Sequence, residues 1–143
     1  MTVPAMVTVA RDQLVCDLLA QAGWDDSQET GYTLSPGSEI HDNPDQIVFI
    51  VATGGPGYVI EEGGADAWSF QARVRGPADD PQAASVAAQL LDWTILTASY
   101  PVSVDGVRVL NCQRMGAPPS ALPLDPNDRR FEFTANYIVT TGA

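Results

Sequence analysis

Residues 131–139 read FEFTANYIV, and the strict alternation of that stretch restricts what the chain can become. Phe131, Phe133, Ala135, Tyr137 and Val139 fall on one side of an extended backbone. Glu132, Thr134 and Asn136 fall on the other, with Arg129 and Arg130 leading in. A period of two predicts a strand with one face buried. WSFQARVR at 68–75 repeats the pattern, with Trp68, Phe70, Ala72 and Val74 on one face. Its outer face carries Ser69, Gln71, Arg73 and Arg75. A sheet covered on one face only is therefore expected.

The cover comes from two helical patterns. Residues 9–22 space Val9, Leu14, Val15, Leu18, Leu19 and Ala22 at helical intervals, leave Arg11, Asp12, Asp17 and Gln21 opposite, and stop at Gly23. A second helix is expected over 81–99, capped by Asp79 or Asp80 with Pro81 in its first turn, and ended by Tyr100-Pro101. Ala84, Ala87, Ala88, Leu91 and Ile95 form its core stripe, which Val86, Leu90 and Trp93 are expected to widen. IVFIVA at 47–52 is apolar on both faces, the pattern of a central strand. Asp105-Gly106 between β-branched runs predicts a tight hairpin. The polar stretch 24–46 reads as a long loop with a short strand near 32–34. The glycine-rich 54–67 reads as a hairpin loop, GPADDPQ at 76–82 as a break, and the proline-rich 117–128 as another loop. The fold class expected is α+β: a mostly antiparallel sheet, two helices packed on one face, long loops and a β-hairpin.

A chain of 143 residues suits one domain spanning 1–143, and 45% apolar content suits a folded globule. The longest apolar run, 47–52, is too short to cross a membrane, and MTVPAMVTVARD lacks the features of a secretion signal, so neither membrane nor export is expected. Cys16 and Cys112 show no ligand spacing and read as reduced, mostly buried thiols of an intracellular product; a secreted chain with one disulfide is the alternative. The net charge is −11 and there is no lysine, which argues against free nucleic acid as a partner. Residues 1–72 hold eleven acids and one arginine, whereas 73–143 hold seven acids and six arginines. That asymmetry serves either solubility or a surface that repels something negative while the arginine-bearing half meets protein.

Catalytic chemistry finds little material. GGPG at 54–57 is followed by Tyr58-Val59 rather than Lys and Ser or Thr, so it reads as a turn and not a phosphate loop. His41 is the only histidine, and His41-Asp42-Asn43-Pro44-Asp45 reads as a polar turn rather than a metal cluster. No Gly-x-Ser-x-Gly elbow exists, and Glu61-Glu62 sit side by side on one loop. No catalytic residue, metal site or cofactor is expected, and the chain does not read as an enzyme.

Three stretches taken together, 42–58 (DNPDQIVFIVATGGPGY), 68–96 (WSFQARVRGPADDPQAASVAAQLLDWTIL) and 128–139 (DRRFEFTANYIV), carry a resemblance. Pro44-Asp45, the aliphatic strand at 47–51, Gly54-Gly55, Val74-Arg75, the helix 81–99, and Arg130, Glu132, Asn136 and Tyr137 follow in that order. This resembles the tail terminator (tail completion, minor capsid) proteins of long-tailed bacteriophages. Residues 23–39 match nothing in that pattern and 117–126 match it loosely. The resemblance implies a structural virion protein, made in the host cytoplasm, that assembles as a ring, usually a hexamer, at the head-proximal end of the tail. It implies that the ring stops tube polymerisation and forms the head–tail joining surface. Tail tube and head–tail connector proteins are then the partners, with DNA passing the lumen without specific binding. In such a ring Arg73, Arg75, Arg129 and Arg130 are subunit-interface candidates, since guanidinium groups pair well with carboxylates; solvent-facing strand positions are the alternative.

Rival readings are another connector or a tail tube subunit of the same particle, or a small acidic ligand-binding or inhibitor domain. Tube subunits carry a long stacking hairpin, and the stretch after Gly54 does not read as long enough.

Overall fold

The computed structural model describes residues 8–24, 32–37, 46–59, 65–123 and 129–142, with backbone alone over 55–59. The elements are α1 (Arg11–Gln21), β1 (Thr33–Pro36), β2 (Ile47–Val59), β3 (Ala65–Ala78), α2 (Pro81–Thr97), β4 (Val102–Val104), β5 (Val107–Ala121) and β6 (Arg130–Gly142). The strands form one sheet in the order β1-β2-β3-β6-β5-β4. β1 runs parallel to β2, and every other pairing is antiparallel. The fold is α+β, as the alternation and the two helical patterns require.

The local signals act where they stand. Gly23 takes a φ of 106°, a conformation glycine adopts without strain, and Trp24 N–H closes onto the Leu19 carbonyl at 2.9 Å to end α1. Asp80 caps α2 by accepting from Ala83 N–H at 3.1 Å, and Pro81 opens the helix. Asp105 and Gly106, at φ 53° and 77°, make the two-residue turn between β4 and β5, where both central residues need positive φ.

The core lies between the helices and one sheet face. Trp68, Phe70, Ala72 and Val74 of β3 are buried beside Ala135, Tyr137 and Val139 of β6 and Val48 and Ile50 of β2. α2 lies over β3, β6 and β5 through Ala84, Ala87, Ala88, Leu91 and Ile95. α1 packs on β1 and β2 and also reaches β4 at the opposite edge, so the sheet curls around its helices. The alanines let α2 sit close. A Cβ on Gly76 would stand 2.6 Å from the Cβ of Ala84 and 3.0 Å from its Cα, so this contact requires glycine. Gly76→Ala should lower stability by about 1–3 kcal/mol, the usual cost of overpacking, as measured by urea denaturation.

Three expectations drawn from proline and glycine are corrected. β2 and β3 remain paired through the glycine-rich stretch out to Val59 and Ala65, with register shifts between Ala52 and Gly54 and between Gly54 and Gly57. β3 continues through Gly76-Pro77 to Ala78, and β5 continues through Pro118-Pro119 to Ala121. The reason is common to all three. Pro56, Pro77 and Pro118-Pro119 each fall inside a register shift, where a missing N–H costs the ladder nothing. The β2–β3 hairpin is consequently long: thirteen residues of β2 extend roughly 44 Å at the usual strand rise.

A further correction concerns α2. Val86, Leu90 and Trp93 do not widen the core stripe; they are exposed at 62%, 41% and 64%, with Leu96 at 39%. The helix is apolar around most of its circumference, and the sheet takes the side with the small residues.

Candidate assembly surface

The four arginines gather where β3 ends and β6 begins. In register, Arg73 faces Thr134, Arg75 faces Glu132, and Ala78 faces Arg130 across a bulge. Strand alternation places Arg73 and Arg75 on the sheet face away from the helices, together with Glu132 and Thr134. Their environments differ. Arg73 is exposed. Arg75 is 5% exposed, with its guanidinium carbon 5.4 Å from the centroid of the Phe49 ring, so its stem and head are covered within the subunit. Ile47 and Phe49 are buried on this same outer face, which makes it apolar at one end. Arg129 is exposed, with a φ of 59°, and pairs with Asp79 while its carbonyl accepts from Asp79 N–H at 2.9 Å. Arg130 is half-buried. Arg73 and Arg129 are thus the arginines most available to another chain, and the outward alternation of Arg75 gave no warning that it is buried.

Three part-buried polar connections tie the helices to the sheet. Arg11 of α1 donates to the wholly buried Asp66 of β3 at 2.6 Å and lies 5.3 Å from the centroid of Trp68. Asp12 accepts from the backbone N–H of Ala52 at 2.8 Å, beside a register shift in β2. Near α2, Asp92 accepts from Tyr137 at 2.7 Å and from Arg114 at 2.6 Å, so its carboxylate ties α2 to β6 and β5 at once. Sequence reading placed Tyr137 in the core but contained no sign of these partners, which lie 22 to 55 residues apart.

Among the described residues no group of three or more His, Cys, Asp or Glu side chains is placed to hold a metal ion. His41, Pro44-Asp45 and Glu61-Glu62 lie outside the described residues. No helix among the described residues is long and apolar enough to cross a membrane. Cys16 and Cys112 are free and buried, and burial pushes both thiols up to about 12. Burial also raises Tyr100 and Tyr137 above the ordinary tyrosine value, with Asp92 adding to the rise at Tyr137. The folded chain keeps these protons where the unfolded chain releases them, from about pH 9 for thiols and 10 for phenols. Raised values of this kind give stability that is fully present below the unfolded pKa and is lost as pH rises from there through the folded value. Native protein should resist thiol alkylation at neutral pH, react at both cysteines once unfolded, and melt progressively lower above pH 9.

No protein-family model and no curated protein matches the chain. The fold is shared with a chain of a solved structure described as the virion of a native gene transfer agent (GTA) particle. The TM-score is 0.62 at 14% identity, and the superposition covers 90% of this chain and 98% of that one. The class defined by fold and surface is a single-sheet α+β domain with an arginine-bearing outer face and an uncovered apolar helix. The particular neighbour is a chain of a gene transfer agent virion.

Proposed function

We propose that this chain is a structural subunit of a phage-like virion, and within it the tail terminator. It forms a ring, a hexamer on the resemblance carried by its motifs, that caps the tail tube, stops tube polymerisation and meets the head–tail connector. The observation that carries the reading is the shared fold: 98% of the chain from the gene transfer agent virion superposes on this one, with no large part left over. The charge supports it. With net −11 and no lysine, a lumen built from this chain offers DNA few phosphate contacts and lets it slide. The arginines fit the same picture, because a closed ring needs two different patches on each subunit. Arg73, Arg129 and Arg130 form one of them, facing acidic segments of the neighbour or tube, while Arg75, covered beside Phe49, supports that face from within the subunit.

One observation favours a second reading, a tail tube subunit: the β2–β3 hairpin is long rather than short. The two readings diverge in solution. A terminator adds as one ring of about six chains to the end of tubes of its own particle and shortens them when present during growth. A tube subunit polymerises without limit. Sedimentation and negative-stain microscopy of the chain, alone and with tube protein, separate them. Arg73→Glu and Arg130→Glu should abolish ring closure while leaving the fold, judged by circular dichroism, intact; rings formed equally well by both variants would remove the arginines from the interface.

A further inference from the structure

The C-terminal ends of the two helices meet at one corner of the fold, and neither helix has a basic residue in its last turn. Leu18 and Gln21 of α1, Thr97 and Ala98 at the end of α2, and Val102 of β4 wall a cleft of about 310 Å³ there. Asp17 stands one turn before Gln21 on the same side of α1. Its carboxyl group hydrogen-bonds that of Asp105 at the β4–β5 turn, which raises the Asp105 pKa. Among the described residues no arginine pairs with either acid. Arg108, three positions beyond Asp105, alternates with Ser103 onto the far face of the sheet. Two helix ends of negative sign and two carboxyl groups therefore converge on this cleft.

The open face of the sheet has the opposite sign. Arg73, Arg75, Arg108 and Arg130 alternate onto it with one described acid, Glu132. Arg73 is exposed, in a row with Phe49, Thr134 and Ser120, none of them charged. Thr134, opposite Arg73, and Gly142, opposite Arg108 at the start of β5, lie eight residues apart on β6, roughly 27 Å at the usual strand rise. Arg73 and the acidic cleft thus belong to different ends of the subunit, as a head-to-tail contact requires.

We propose that the cleft receives Arg73 of a second copy of the chain. The inference rests on the ring reading and names the second of its two patches. Leu18 and Val102 offer apolar wall to the arginine methylenes, and Asp17 and Asp105 take the guanidinium. A net charge of −11 on each copy does not prevent this. Repulsion between whole copies is screened beyond about 8 Å at physiological ionic strength, whereas the touching surfaces are of opposite sign. Each copy gives one arginine and offers one cleft, so the contact repeats in a single direction.

Complementation of charge reversals gives the test, read by sedimentation and negative-stain microscopy with and without tail tubes. Arg73→Asp and Asp17→Arg should each fail to form rings alone. An equal mixture of the two should form them, because every interface then joins an arginine to an acid; this rescue also shows that both variants fold. Asp17→Asn and Arg73→Gln should each raise the concentration needed for assembly by about tenfold. Rings formed by Asp17→Arg alone overturn the inference. Loss of rings in Arg73→Asp without rescue by the mixture also overturns it, and leaves the ring reading standing. A wild type that forms no ring, alone or on tubes, overturns both. Binding of short duplex DNA that is lost in Arg73→Asp, with rings unchanged, would assign the arginine to nucleic acid and overturn the pairing.

Discussion

Arg11→Ala is expected to lower the unfolding free energy by about 3 kcal/mol, because it leaves a charge without its cation in a site closed to water. The Asp66 side chain is 0% exposed with Arg11 in place and the Nη2–Oδ2 distance is 2.6 Å, so the carboxylate depends on the guanidinium for its charge partner. The Arg11 side chain is 34% exposed, which places the effect at the lower end of the range for breaking a buried pair. Arg11 also lies over Trp68, and truncation removes that cover from the core tryptophan. The double variant Arg11→Met with Asp66→Leu separates charge from packing. It should recover most of the loss, since apolar side chains of similar volume commonly replace buried pairs without penalty. A single-variant cost under about 1 kcal/mol in urea denaturation would make the pair no stronger than a surface one.

The second large effect belongs to Tyr137. Tyr137→Ala should cost about 4 kcal/mol, within the range for removing a large buried aromatic side chain. Its ring is 0% exposed, stacks on Phe70 with centroids 5.2 Å apart at 22°, and closes the layer between β6 and α2. Tyr137→Phe keeps the stacking and deletes only the hydroxyl that donates to Asp92 at 2.7 Å. That variant should lose about 1–2 kcal/mol, because Asp92 retains Arg114 while one of its donors is gone. If both variants cost the same, the polar contact and not the ring dominates, and the core is less tightly filled than its burial indicates.

The two positions illustrate what a linear reading can reach. Tyr137 was placed in the core because its neighbours alternate at period two, and alternation is a property of the strand itself. Asp66 and Arg11 were not paired by any such rule. One stands at the start of a strand and the other at the start of a helix 55 residues earlier. Only the curl of the sheet around α1 brings them together. The candidate surface divides in the same way. Arg73 was legible as an outward strand residue and is exposed. Arg75 has the same parity, yet it is covered beside Phe49, because alternation states which face a side chain takes and not what lies on that face. The prolines misled for a related reason. In linear sequence each signals the end of a strand, whereas the ladder accommodates them at register shifts visible only once the partner strand is in place.

By itself, the sequence determined the elements and their order. Helical spacing, an Asp cap, a Gly stop, an Asp-Gly turn and period-two alternation all act over a few residues, and all are present where the structure uses them. Helical spacing already put Ala84, Ala87, Ala88, Leu91 and Ile95 of α2 in the core, and the tertiary structure alone decided how far that stripe extends, leaving Val86, Leu90 and Trp93 outside it. Apolar residues continue around that helix, so periodicity could not set the edge of the buried side. The choice fell to packing: the alanine side, with Gly76 beneath Ala84, approaches the sheet more closely than a side bearing Trp93 could.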